Sequence, residues 1–323
     1  MRLPAVLLPL ALVGCFFTGE ADSGADSAAP AAPPQIDLLL VIDTSGSMKE
    51  ESSAVLLGAS EVIDALGDSD WRIGVMTTSA DYGHGLTPGI DPGEAGTLAG
   101  DPVTAGTGAD DALRAILACN TIYWKDSDLL SDPSYAAAAD GSCPLPAGDE
   151  VPREYLECVC PAGWNESEGA GTEEGLEVVA AALCERGGEV PEGCFDAESS
   201  ITSAQAEANA DFWRADALPR AVIISDEGDG SRRVPSADDD AGLYLDLLDW
   251  LSADFRLYVL GPAFDGSDGS CLDGAQTWGV ERYQNAASET GGAYAELRDP
   301  ANGCASNDVA AAMAELLADA ALP

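Results

Sequence analysis

Asp43, Ser45 and Ser47 stand at alternate positions at the end of the stretch DLLLVIDTSGSM, Asp37 to Met48. A chain turning away from an extended segment can aim three such side-chain oxygens at one point, and hard divalent cations take oxygen ligands of this kind. Two distant stretches offer the same chemistry. GAGTEEGLEVVAAAL carries Thr172 and Glu173 at the entrance to a helical pattern, and AVIISDEGDGS carries Asp226, Glu227 and Asp229 at the exit of an apolar run. The plainer account of DTSGS is a strand-to-helix turn whose hydroxyl caps the helix. Both accounts fit Asp43, Ser45 and Ser47 taken alone.

The elements that must position these residues are legible from periodicity. Leu38 to Ile42 is unbroken apolar, as in a strand buried on both faces. Lys49 to Leu66 places Val55, Leu56, Ala59, Val62, Ile63 and Leu66 on one helical face. Trp71 to Thr78 reads as a second strand, Thr97 to Thr104 as a short antiparallel edge strand, and Ala109 to Ala118 as a helix. Helices are expected over Thr172 to Cys184, Thr202 to Ala215, Leu243 to Ala253 and Asp308 to Ala321. Strands are expected over Ala221 to Ser225, Arg256 to Leu260 and Ala293 to Leu297. Between Cys119 and Glu168 periodicity fails and four cysteines crowd among Pro, Gly and Asp. A loop that long inside a compact domain is either functional or a stapled insertion. Strands alternating with helices give an α/β fold around a parallel sheet covered on both faces.

The D-x-S-x-S element after a hydrophobic strand resembles the metal-ion-dependent adhesion site of von Willebrand factor A (vWA) domains, and the resemblance extends over roughly Gln35 to Leu322. It implies a doubly wound, mostly parallel six-stranded sheet with one antiparallel edge. It also implies a site formed by Asp43, Ser45, Ser47, Thr172 and Asp226 around Mg²⁺, or Ca²⁺ or Mn²⁺. By the same resemblance the two serines bind the ion directly, the two aspartates act mainly through water, and an open position accepts a carboxylate from a protein partner. The chain departs from the family in having Glu174 two positions after Thr172, where a second hydroxyl is common. Glu173 is the alternative to Thr172, and would give a more negative site that favours Ca²⁺. Glu227 and Asp229 either hold a second ion or form a solvated acidic loop. Asp265, Asp268 and Asp273 lack a complete calcium-loop spacing and read as a surface turn.

Enzyme readings fare worse. Asp43-Thr44-Ser45-Gly46 resembles the D-T-G of aspartic proteases and subtilases, but a serine interrupts it and no second D-T-G exists. His84 is the sole histidine, and neither a G-x-S-x-G elbow nor a phosphate loop occurs. The expectation is a binding module without enzymatic activity.

Composition and the N-terminus bear on location. The chain has 323 residues, 46% of them hydrophobic, enough for a sizeable core. A formal charge of -43 excludes nucleic acid as a partner, since phosphate would be repelled and no basic stripe opposes that. Arg2 precedes an apolar Leu3 to Val13 too short to span a bilayer, as in a signal peptide. Leu12-Val13-Gly14-Cys15 resembles the bacterial lipobox, which implies cleavage before Cys15 and its lipidation, although an ordinary secretory signal with an incidental cysteine is the alternative. Residues 1–14 are then a leader, 15–34 a lipidated cysteine with a flexible tether, and 35–323 the vWA-like domain with its insertion at 119–168. Phe16 after the cysteine directs the expectation to the outer membrane, with anchoring through acyl chains. Eight further cysteines, an even number, agree with an oxidising compartment. In a doubly wound fold Cys271 and Cys304 lie close and are expected to pair. Six cysteines from Cys119 to Cys194 then pair among themselves, without a strained Cys158–Cys160 ring. A structural subunit of an envelope complex, with a vestigial or purely stabilising metal, is the alternative function.

Overall fold

The computed structural model describes residues 33–78, 98–121, 143–145, 151, 153–160, 173–184, 186, 190, 194–195, 201, 203, 207–231, 242–251, 253–262, 279–299, 305–306 and 308–320. Cys15, His84, Thr172, Cys271 and Cys304 lie outside these residues, and so does the acidic turn at 265–273.

The apolar runs form the strands β1 (Gln35–Ile42), β2 (Asp70–Thr77), β4 (Leu218–Ile224), β5 (Arg256–Gly261) and β6 (Tyr294–Glu296), with β3 (Val103–Thr104) at one edge. Their spatial order is β3-β2-β1-β4-β5-β6. Every neighbouring pair is parallel except β2 with β3. This is the six-stranded, doubly wound α/β sheet expected from the sequence.

Continuous apolarity in β1 has a direct cause in the two cores. Leu38, Leu40 and Ile42 face one layer while Leu39 and Val41 face the other, and all five are completely buried. β4 divides in the same way, with Val222 and Ile224 on one side and Ala221 and Ile223 on the other. The first layer contains α1 (Lys49–Leu57), α2 (Ala59–Leu66), α3 (Ala109–Asn120), α4 (Arg153–Val159) and the C-terminal helix α8 (Val309–Ala320). The second contains α5 (Gly175–Cys184), α6 (Gly242–Leu251) and α7 (Val280–Glu289). Among the described residues no helix is long and apolar enough to cross a membrane.

Several expectations needed correction. The helix from Lys49 to Leu66 is interrupted at Gly58, where a Cβ would lie 2.6 Å from that of Ala310. Glycine lets α8 approach the chain there, and the close packing outweighs helical continuity. The helix expected up to Ala215 is, at its end, only a 3-10 turn over Ala210–Phe212. Arg214 leaves that turn to bind Asp37 and Asp70, and its ionic contacts replace helical ones. The insertion is not wholly irregular, for α4 packs Tyr155, Leu156 and Val159 into the first core. Disulfides Cys119–Cys160 and Cys143–Cys158 fasten it, and Cys184–Cys194 closes the loop after α5. Cys158 and Cys160 therefore bond to different partners, as ring strain requires. Beyond β6 a small antiparallel ribbon appears, β7 (Arg298–Asp299) with β8 (Ala305–Ser306), which periodicity did not indicate.

Candidate metal centre

Strand order reverses at β1, because β1 is followed in sequence by β2 on one side and flanked by β4 on the other. In open α/β sheets this reversal leaves a crevice beyond the carboxyl ends of the strands. The Asp43 amide donates to the Ile224 carbonyl at 2.8 Å, and the Thr78 amide to the Ile42 carbonyl at 3.1 Å. Both bonds extend the ladder past the strands proper, so Asp43, Thr78 and Ser225 start their loops side by side.

Four of the expected residues form one hydrogen-bonded cluster. The Ser45 amide donates to Asp43 Oδ1 at 2.7 Å, which folds the loop back over its own aspartate. Ser47 Oγ donates to Asp226 Oδ1 at 3.1 Å. Ser45 and Ser47 hydroxyls lie 2.9 Å apart. A hydroxyl has one proton, so with Ser47 donating to Asp226 it is Ser45 that donates to Ser47. Ser225 Oγ donates to Asp43 Oδ2 at 2.7 Å and so ties the β1 loop to the β4 loop. The short 3-10 turn Gly46–Met48 carries the chain from this cluster into α1.

The second loop arrives through Glu173. Thr78 Oγ1 donates to Glu173 Oε2, the Glu174 amide donates to the Thr78 carbonyl at 3.0 Å, and the Gly230 amide donates to the Glu173 carbonyl at 2.5 Å. Glu173 is 2% exposed, and its Oε1 has no hydrogen-bond partner among the described residues. A buried carboxylate oxygen without a partner is costly as an anion, and either a proton or a cation would relieve it.

Proton affinities follow from this crowding. Burial pushes Asp226 up to about 7, the charge of Asp43 adds to the rise, and Arg298 and the Ser47 hydroxyl oppose it. Asp43 is pushed up to about 6 by complete burial, against hydrogen bonds from Ser225 and Ser45. Burial and then Asp43 hold Glu173 well above the usual carboxylate range, and burial and Asp226 raise Glu227. The site thus concentrates carboxylates that resist ionisation until positive charge is supplied.

Hydroxyls beside buried carboxylates, together with the unpartnered Glu173 oxygen, suit a hard divalent cation. Ser45 and Ser47, with Asp43 and Asp226 hydrogen-bonded around them, are the residues that would hold it, and Glu173 would add negative charge nearby. Among the described residues no three His, Cys, Asp or Glu side chains alone form a metal-ligating group. The donor set is one of hydroxyls and carboxylates rather than a carboxylate cage.

Asp229 has a different role. Its Oδ1 accepts the Leu176 amide at 3.1 Å and the Ser231 hydroxyl at 2.7 Å, while Oδ2 lies 3.5 Å from Arg282 in a fully buried pair. It caps the first turn of α5 from within the protein. Gly279, at φ +88°, is needed beside it because a Cβ there would sit 2.2 Å from the Asp229 carbonyl oxygen.

Sequence reasoning missed Thr78, Ser225, Glu51 and Arg298. Thr78 and Ser225 had a signal, since each hydroxyl directly follows a buried strand, where the crevice opens. Glu51 and Arg298 had none, because only the fold joins residues 247 positions apart.

No family model matches the chain, and no curated protein matches it. Solved structures do. A von Willebrand factor type A structure from Catenulispora acidiphila is 15% identical, with a TM-score of 0.42, and the match covers 88% of this chain and 42% of that one. The open conformation of the pilus adhesin SpaC from Lactobacillus rhamnosus GG is 12% identical, with a TM-score of 0.41, over 91% of this chain and 30% of that one. The human COPII-coat protein Sec24c is 12% identical, with a TM-score of 0.36, over 90% of this chain and 32% of that one. The chain therefore spans less than half the length of each of these structures. Its fold class rests on its own strand order and register.

Proposed function

We propose that this chain is a binding module that captures a protein partner through a divalent cation, Mg²⁺ or else Ca²⁺ or Mn²⁺, and that it is exported and held at the outer membrane by lipid on Cys15. One observation carries the reading. Asp43, Ser45, Ser47 and Asp226, spread over 184 residues of sequence, meet in one hydrogen-bonded cluster at the carboxyl edge where strand order reverses. A bound divalent ion would supply an electrophilic centre able to accept a partner's carboxylate. The protein's part is to present hydroxyls already aligned by Asp43 and Asp226, on loops fixed to buried strands. The ion also has an electrostatic effect: on a chain of charge -43 a carboxylate-bearing partner is repelled everywhere except where a cation reverses the local field.

A second reading is a structural envelope subunit in which the cluster only stabilises the fold. The ion pair of Arg298 with Asp226 favours it, because positive charge already reaches that carboxylate. Titration calorimetry of Mg²⁺, Mn²⁺ and Ca²⁺ on the native chain and on Asp43→Ala separates the two, alongside partner capture from envelope extract with and without chelator. Adhesion through metal predicts that Asp43→Ala stays folded by circular dichroism and loses both metal and partner. Partner capture that survives chelation assigns the chain to the structural class.

A further inference from the structure

A guanidinium stands among the carboxylates of the cluster. Arg298, the first residue of β7, is 13% exposed. Its Nε donates to Glu51 Oε1 at 2.9 Å, and a terminal nitrogen lies 3.3 Å from the Ser47 carbonyl and 3.4 Å from Asp226 Oδ2. Glu51 is completely buried in the first turn of α1, immediately after the loop that carries Asp43, Ser45 and Ser47. These three contacts are unequal. A charge-assisted bond of 2.9 Å is well formed, whereas 3.3 and 3.4 Å are at the outer limit of hydrogen bonding. Glu51 is therefore the anchor of Arg298, and Asp226 receives only the edge of its charge.

We propose that Arg298 is a resident counter-cation that competes with the divalent ion for Asp226, and that Glu51 sets how strongly it competes. The proposal rests on the cluster being a cation site. An ion that settles by Ser47 and Asp226 meets a fixed positive charge on the same carboxylate, in surroundings that screen it poorly. Its affinity is lower than the carboxylates alone would give. Glu51 limits the loss by holding the guanidinium's other edge, so the pair sets the concentration at which the site loads. Arg298 also reaches the site from the ribbon beyond β6. The loading threshold is thus fixed by a part of the chain that supplies none of the ligands.

The test uses the full, disulfide-intact chain and its variants Arg298→Gln, Arg298→Lys, Glu51→Gln and the Arg298→Gln/Glu51→Gln double variant. Mn²⁺, Mg²⁺ and Ca²⁺ affinities are read by calorimetry, and thermal midpoints by circular dichroism with chelator and with saturating ion. Removing one charge a few ångströms from a divalent ion should tighten binding about tenfold in Arg298→Gln. Arg298→Lys, which keeps the charge, should stay within about threefold of the native chain. Glu51→Gln should weaken binding, and that penalty should fall to less than half, on a logarithmic scale, in the double variant. Without metal Arg298→Gln should melt lower than the native chain, since buried Glu51 loses its 2.9 Å contact with the guanidinium. It should also gain more from saturating ion. Unchanged or weaker binding in a folded Arg298→Gln overturns the competition, as does a Glu51→Gln penalty undiminished in the double variant. If Arg298→Gln does not fold, Glu51→Gln decides alone, and unchanged or tighter binding there overturns the proposal. Failure of the underlying reading looks different, for then neither the native chain nor Arg298→Gln binds any of the three ions.

Discussion

In the presence of chelator the protein should lose stability as the pH rises from 4.5 to 8, the reverse of ordinary acid denaturation. The perturbation acts on the clustered acids. Asp226 rises from an ordinary 3.8 to about 7 and Asp43 to about 6, and Asp229, buried against Arg282, also to about 6. Glu173 moves in the same direction. Raised folded-state values mean that the native chain binds more protons than the unfolded chain between about pH 4 and 7, so the slope of stability against pH is negative there. The contribution is fully present below the unfolded value and is lost as pH climbs through the folded ones. Asp70 is shifted the opposite way by Gln35 and Arg214, but it is exposed and offsets little. Each pH unit of raised affinity corresponds to about 1.4 kcal/mol, so ionising Asp226 alone forgoes on the order of 4 kcal/mol. Asp43 and Asp226 share their mutual repulsion, so the expected loss for the cluster is roughly 3 to 5 kcal/mol rather than a sum over groups. A divalent ion should reverse the trend. At a hundred times its dissociation constant it adds about 2.7 kcal/mol, and this gain should shrink toward pH 5, where protons compete for the same oxygens. Urea unfolding followed by circular dichroism, across this range with chelator and with Ca²⁺ or Mg²⁺, provides the measurement. A metal-free chain more stable at pH 8 than at pH 5 would refute the argument that these carboxylates are buried against one another.

Arg214→Ala should cost roughly 3 to 5 kcal/mol, because Asp37, 1% exposed, loses its 2.8 Å guanidinium partner and among the described residues keeps only the hydrogen bond from the residue 214 amide. Urea unfolding reads this, and a loss under about 1 kcal/mol would mean that solvent already reaches Asp37. Cys15→Ser should leave an acyl-free, unprocessed precursor. Intact mass of the native mature chain decides it, and a chain that carries no acyl groups removes lipid anchoring from the proposal.

What the sequence determined by itself was local or periodic. Unbroken apolar residues from Leu38 to Ile42 dictated a strand buried on both faces, since no polar side chain offered it a solvent side. The alternation of such strands with amphipathic helices dictated a parallel sheet covered on both faces, while the doubly wound order and the grouping of Asp43, Ser45, Ser47 and Asp226 were implied by the resemblance to vWA domains. Contacts that no period encodes were decided by the tertiary structure. Thr78 joins the cluster because β2 lies beside β1 in register, and Glu173 follows it there. Gly58 divides a helix that its own pattern would continue, because α8 needs the space. Asp229 read as either a second-ion ligand or part of a solvated acidic loop, yet it turns inward to the Leu176 amide of α5 and to Arg282, a buried partner 53 residues away. Arg298 is an ordinary basic residue in sequence and becomes part of the site only when β6 delivers it to Glu51 and Asp226. Hydrophobic periodicity is a property of neighbouring residues and survives in the unfolded chain. The pairing of buried charges exists only once the folded core has excluded the water that would otherwise solvate each of them.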